Sequence, residues 1–190
     1  MKKIALVGDI GSGKTFFSKL FKVPVFNADH EVSNLYRKDK NLFKKIKKKF
    51  PNLISESPLK KGELSKIILK NPKNLEFLGK LIHKKIRLKM EKFFLKNKKK
   101  KLVVLDIPLF LENKINKKED LIIFIDANKK KILRSLKKRK NINLRLINIL
   151  RNNQMQLKKK KSLSSIIVKN NFRSETAKKN VKLIMNKIKI

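Results

Sequence analysis

The chain has no cysteine in its 190 residues, and only 14 acidic residues stand against 53 basic ones. The missing thiols exclude disulfides and thiolate metal sites, and agree with a reducing compartment. No apolar run approaches the roughly 18–20 residues that a bilayer span requires. The N-terminus enters apolar sequence at once, without the pattern of a secretory leader. The expectation is a soluble, cytoplasmic protein with no membrane partner. Neither an internal repeat nor a long flexible linker interrupts the chain. Its length suits one α/β core with a modest insertion, and a hydrophobic content of 41% is enough for a packed interior.

Arginine is scarce as well. Of the 53 basic residues 46 are Lys and 7 are Arg, within a net charge of +39. Arginine is the residue suited to bidentate phosphate and base-edge contacts. The lysines run through the whole chain, as in Lys47-Lys48-Lys49, Lys98 to Lys101 and Lys158 to Lys161. That distribution reads as solvated surface, with no nucleic-acid partner, rather than as one binding face. The few arginines are the more informative for it.

What is present begins at Gly8-Asp9-Ile10-Gly11-Ser12-Gly13-Lys14-Thr15, which matches G-x-x-x-x-G-K-[ST] at every fixed position. Ile4 to Val7 before it suits a buried parallel strand, and Phe16, Phe17 and Leu20 after it begin helical spacing. In that setting the glycines turn the backbone so that N–H groups of Gly8, Gly11, Ser12, Gly13, Lys14, Thr15 and Phe16 surround a phosphate, helped by the helix dipole. Lys14 reaches the terminal phosphates and the Thr15 hydroxyl ligates Mg²⁺, so ATP and Mg²⁺ are the expected cofactors.

Further along, apolar strands alternate with helical patterns. Strands are expected near Lys3–Val7, Val23–Asn27, Leu102–Asp106, Leu121–Asp126 and Ile166–Val168. From His30 to about Lys100 the pattern is helical and lysine-rich, with breaks at Pro51, Pro58 and Pro72. Leu75, Leu78, Leu81, Ile82 and Ile86 recur there at helical spacing. A basic segment covers about Arg139–Ser165, and Ser174, a candidate N-cap, opens a closing helix. Strands separated by helices predict an α/β, three-layer fold with a mostly parallel sheet. Ligands of such sheets sit beyond the carboxyl ends of the strands, where Asp29, Asp106 and Asp126 fall. Asp29 is either the carboxylate that orients an acceptor hydroxyl or the cap of the next helix. Asp106 is either a metal-linked acid or a strand-end cap. Asp126 is read as the cap of the helix that follows it.

The ordered set of segments resembles the dephospho-CoA kinase family nearly end to end. After the loop come Asn27-Ala28-Asp29, Ile68 to Pro72 followed by Leu78 to Leu81, His83 and Ile86, then Asp106-Ile107-Pro108-Leu109-Phe110-Leu111-Glu112. Arg139 stands ahead of Gln154-Met155-Gln156-Leu157-Lys158-Lys159-Lys160, and Ile167 to Asn170 closes the set. The resemblance implies a P-loop kinase fold and ATP-dependent phosphorylation of the ribose 3′-hydroxyl of dephospho-CoA, a small-molecule partner. The alternative is another small-molecule P-loop kinase, of the nucleoside monophosphate or shikimate type. It also implies a nucleotide-binding core (1–29, 101–138 and 166–190), a helical acceptor-binding insertion (30–100) and a lid (139–165), in a monomer or weak homo-oligomer.

By matching positions, Asp29, Lys14 and Arg139 are catalytic, and Thr15 and Asp106 serve the metal. Lys61, His83, Pro108 and Glu112 lie on the acceptor side. Bland readings stay open for several: a structural histidine at His83, surface cations at Arg139 and Lys61, a helix-start carboxylate at Glu112. Departures from the family pattern are Val7 for Thr, Asp9 for Gly, Asn27 for Asp and Lys84 for Pro, with Lys140, Ser165 and Lys169 for acids. Asp9 puts a negative charge into the phosphate loop, which opposes phosphate unless its side chain points away.

Overall fold

The structure is a computed structural model that describes residues 1–139 and 142–188. Lys2–Gly8 forms β1, which is buried from Ile4 onward and so carries no polar alternation. Strands covered on both faces are apolar on both sides of the pleat. Around it lie β2 (Val25–Asn27), β3 (Leu102–Asp106), β4 (Leu121–Ala127) and β5 (Ile166–Asn170), in the order β2-β3-β1-β4-β5. Every neighbouring pair is parallel, so the expected mostly parallel sheet is wholly parallel. β2 starts two residues later than the sequence suggests because Pro24 has no N–H for the ladder; its carbonyl still accepts from the Val104 N–H at 3.0 Å.

The helices are α1 (Lys14–Leu20), α2 (Ala28–Lys38), α3 (Lys40–Lys49), α4 (Lys61–Lys70), α5 (Asn74–Lys96), α6 (Lys129–Lys137), α7 (Leu144–Asn152), α8 (Leu157–Ser162) and α9 (Ser174–Ile188). Ser174 is therefore the first residue of the closing helix. None of the helices is long and apolar enough to cross a membrane, among the described residues.

Alternate strand residues feed opposite cores. Ile4, Leu6, Val104, Ile123 and Ile125 pack with Phe17 and Phe21 of the α1 segment and with Ala177, Val181 and Ile184 of α9. Ala5, Val7, Leu105, Ile122 and Phe124 face the other way, against Ile86, Met90, Phe93 and Phe94 of α5 and Leu157 of α8. Fully buried side chains such as Phe17 and Phe110 each contribute about 1.5–3 kcal/mol by removal from water.

The insertion has its own core of Leu35, Leu42, Ile46, Ile67 and Leu78, joined by Leu146 and Ile149 of α7. The opposite side of α7 puts Ile147 onto Ile132 and Leu136 of α6, next to Ile10. The segment expected to be a lid is thus wedged between insertion and core.

Two capping expectations are corrected. Asn27, not Asp29, caps α2, accepting the His30 N–H at 2.8 Å; Asp29 is free in the first turn. Asn128, not Asp126, caps α6, accepting from the Lys130 and Lys131 N–H groups. In both cases the asparagine stands directly before the first helical residue, whereas the acid lies two residues away, inside the helix at Asp29 and inside the strand at Asp126.

Candidate active site

Chain connections leave β1 toward β2 on one side and β3 toward β4 on the other. A crevice therefore opens beyond the carboxyl ends of β1 and β3. A cavity of about 800 Å³ fills it, within the range of small-molecule sites. Gly11, Gly13, Lys14, Thr15, Phe16, Asp29, His83, Asp106, Pro108 and Arg139 all line it. Gly8, Ser12, Lys61 and Glu112 do not.

Gly8 and Ser12 lie behind the cradle and shape it. A Cβ on Gly8 would come within 2.7 Å of the Ile125 carbonyl oxygen, so β4 leaves no room for a side chain there. Gly13 has a φ of 99°, and its Cβ would meet the Asn170 amide nitrogen at 2.5 Å. That amide donates to the Ser12 carbonyl at 2.8 Å, so the end of β5 clamps the loop from the far side.

Lys14 is buried, with its ammonium donating to the carbonyls of Asp9 at 2.8 Å and Gly8 at 3.2 Å. Burial pulls its pKa down to about 8, and the nearby Lys160 pushes the same way; Asp106, Asp9 and Asp29 oppose the shift. The Thr15 hydroxyl donates to Asp106 Oδ2 at 2.6 Å, and the Asn27 amide donates to the same oxygen at 2.8 Å. Asn27 thus gives Asp106 a hydrogen-bond donor where the family pattern has a further acid. Thr15 Oγ1 and the Asp106 carboxylate are the hard oxygen donors that suit Mg²⁺, a cation that keeps few protein ligands. No cluster of three or more His, Cys, Asp or Glu side chains occurs among the described residues.

Asp29 opens onto the cavity and stays solvent-accessible at its outer side. The surrounding walls and the Asp106 carboxylate raise its pKa, while the Lys14 and Lys61 cations counter this. Lys61, the exposed first residue of α4, faces the site by its field without forming its wall. On α5, His83 and Arg87 lie one turn apart on the cavity, and His83 is held below the usual imidazole range by partial burial and by Arg87. Val32, Tyr36, Leu75, Ile82 and Ile86 continue this wall in apolar character. Burial pushes the Tyr36 hydroxyl up to about 12. Arg139, just past α6, brings an exposed cation to the rim.

Sequence reasoning gave no role to Arg87, Tyr36, Asn170, Arg151, Lys160 or Lys161. Arg87 had a signal: it is one of seven arginines and follows His83 by one helical turn.

Three acids pair with cations of α7 and α8. Glu112 Oε1 takes the Lys160 ammonium at 2.7 Å and the Met155 N–H at 2.9 Å. No helix begins at Glu112, so the helix-start reading is corrected too. Asp126 accepts from Lys161 at 2.9 Å, and Asp9 from Arg151 Nε at 3.0 Å. Lys160, expected as solvated surface, has only 1% of its side chain exposed. A run of lysines on a short helix must turn one side chain inward, and Glu112 is what receives it.

The dephospho-CoA kinase family model matches residues 2–176. The dephospho-CoA kinase of Wolbachia sp. subsp. Brugia malayi is 33% identical over 192 residues, covering 98% of both chains. Among solved structures, TT1252 from Thermus thermophilus superposes with a TM-score of 0.76 at 23% identity, over 98% of this chain and 97% of that one. The dephospho-CoA kinase from Campylobacter jejuni gives 0.66 at 20%, with the same coverage. At such identities the solved structures speak to the fold alone, a P-loop kinase fold.

Proposed function

The chain belongs to the dephospho-CoA kinase family, and on that premise we propose how its residues divide the work. The reaction is the phosphorylation of dephospho-CoA to CoA with ATP as donor; the nucleoside monophosphate or shikimate alternative is not favoured. The observation that carries the reading is one cavity lined by Lys14, Thr15, Asp29, Asp106 and Arg139 together with His83 and Arg87 of α5.

The phosphate loop holds the ATP phosphates through its backbone N–H groups, and Lys14 exchanges its carbonyl partners for phosphate oxygens. Arg139 offers charge to the moving phosphoryl group from the rim. Thr15 and Asp106 would hold Mg²⁺, which supplies charge neutralisation on the phosphates when bound. Asp29 accepts or orients the proton of the ribose 3′-hydroxyl, so that the oxygen attacks in line. Its raised pKa strengthens it as a proton acceptor while Lys14 and Lys61 keep the carboxylate form accessible. Arg87 and Lys61 supply positive charge and His83 a ring N–H donor on the acceptor side, and the apolar stretch from Val32 to Ile86 receives less polar parts of that molecule. Pro108 stiffens the turn after β3 at the same wall. Glu112 acts on the site through the lid, by fixing Met155 and Lys160.

The test is a coupled assay with ATP, Mg²⁺ and dephospho-CoA. Asp29→Asn is expected to lower kcat by about 10²–10⁴-fold, the range for a lost general base, with ATP affinity nearly unchanged. Equal loss of both would remove Asp29 from the acceptor side. ADP release with a nucleoside monophosphate but not with dephospho-CoA would overturn the reading as a whole.

A further inference from the structure

We propose that Asp9 and Arg151 are a positioning pair that seats the lid helix α7 on the phosphate loop. The acid that intrudes into the phosphate site thereby becomes part of the ATP-binding apparatus. This rests on the proposed phosphate-binding role of the loop.

Asp9 does two jobs at one place. Its carbonyl holds the Lys14 ammonium at 2.8 Å, while its carboxylate Oδ1 accepts from the Ile10 N–H at 2.6 Å and from Arg151 Nε at 3.0 Å. The residue is 8% exposed and absent from the cavity lining, so its charge points away from where phosphates bind. Arg151 lies near the end of α7, and its neighbours Leu150, Asn153 and Gln154 do line the cavity. Leu146 and Ile149 tie the helix to the insertion, and Ile147 packs near Ile10 of the loop itself. Among the described residues, Arg151–Asp9 is the ion pair that joins α7 to the core, whereas α8 has Lys160–Glu112 and Lys161–Asp126. The pair therefore sets how firmly one wall of the donor site is held.

The sign of each substitution follows. Asp9→Gly, which installs the glycine of the family pattern, removes the charge and the tether together. Were the carboxylate only a repulsive charge, this change would tighten ATP binding. As a positioning pair, it weakens binding about threefold. Arg151→Ala removes the tether and leaves the carboxylate uncompensated, so ATP binding weakens about tenfold, a size ordinary for coupled neighbours. In the Asp9→Gly background Arg151→Ala then has almost no further effect. Arg151→Lys, which keeps a cation, restores part of the loss. A loosened wall also admits water, so ADP released per CoA formed rises in both single variants.

ATP affinity is measured by calorimetry, which needs no acceptor, alongside turnover and the melting temperature of each variant. Tighter ATP binding by Asp9→Gly overturns the proposal. So does an equal effect of Arg151→Ala with and without Asp9, which would make Arg151 a direct nucleotide contact. If Asp9→Gly fails to fold, Asp9→Asn combined with Arg151→Gln closes the same cycle. Wild-type protein that binds ATP but leaves dephospho-CoA unchanged would sink the acceptor assignment alone, and the affinity cycle would still decide the pair.

Discussion

The buried ammonium of Lys14 makes the pH dependence of ATP capture a direct test of the site. With a pKa of about 8, the free enzyme carries this charge in roughly nine-tenths of molecules at pH 7 and about one-tenth at pH 9. If only the charged form attracts the phosphates, kcat/KM for ATP falls about tenfold over that interval. Bound phosphates favour the ammonium, so the corresponding fall in kcat lies at higher pH. The effect on folding has the opposite sign. The unfolded chain holds the Lys14 proton up to its ordinary 10.5, so between pH 8 and 10.5 it binds more protons than the native state. Stability from this group therefore rises through that window, by about 3 kcal/mol at most, and is not regained below pH 8. Loss of ATP capture without loss of the fold is thus the expected outcome. Initial rates at limiting and saturating ATP, with melting curves at each pH, check it. Lys14→Arg keeps its charge throughout and should lose the alkaline limb, whatever its absolute rate. A wild-type kcat/KM that stays flat to pH 9, or an unchanged limb in Lys14→Arg, would refute the reasoning.

Two further outcomes follow from packing. Glu112→Gln leaves the buried Lys160 ammonium without its counter-charge, and should destabilise the protein by about 3–5 kcal/mol in chemical denaturation; Glu112→Gln with Lys160→Met should recover much of this. A direct acceptor contact would instead raise KM for dephospho-CoA with no change in the unfolding midpoint. The glycines separate by their surroundings. Gly8→Ala drives a Cβ to 2.7 Å from a backbone carbonyl at a φ of 144°, and should cost stability and ATP binding together. Gly62→Ala, in α4 with nothing within 4 Å, should stabilise the fold by about 0.5–1 kcal/mol and leave turnover unchanged.

The legible part of the chain was the part whose meaning is local. The phosphate loop declares itself because its glycines, lysine and threonine are contiguous and flanked by a strand and a helix. The all-apolar runs at Ile4–Val7, Leu102–Leu105 and Leu121–Ile125 announce a sheet buried on both faces. The prolines at 51, 58 and 72 all fall outside the helices of the insertion.

The acids were harder, because a carboxylate's role depends on which cation the fold brings to it. Asp9, Glu112 and Asp126 look like three unrelated residues along the chain, with Asp9 an oddity in a phosphate site. In space each receives a cation from α7 or α8: Arg151, Lys160 and Lys161. Separations in sequence from 35 to 142 residues put such pairings beyond periodicity or spacing. Lys160 is likewise indistinguishable from Lys158 or Lys159 until helix α8 turns it inward.

By itself, then, the sequence determined the donor side: a strand, a glycine turn and a helix whose backbone donors and lysine suit the phosphates of ATP. Its ordered segments determined the family. Only the tertiary structure decided how the acids are used, because it alone sets the distance between charges. It turned Asp29 free of capping and onto the cavity, gave Asp106 to Thr15 and Asn27, and kept the Asp9 carboxylate out of the cavity lining and on Arg151.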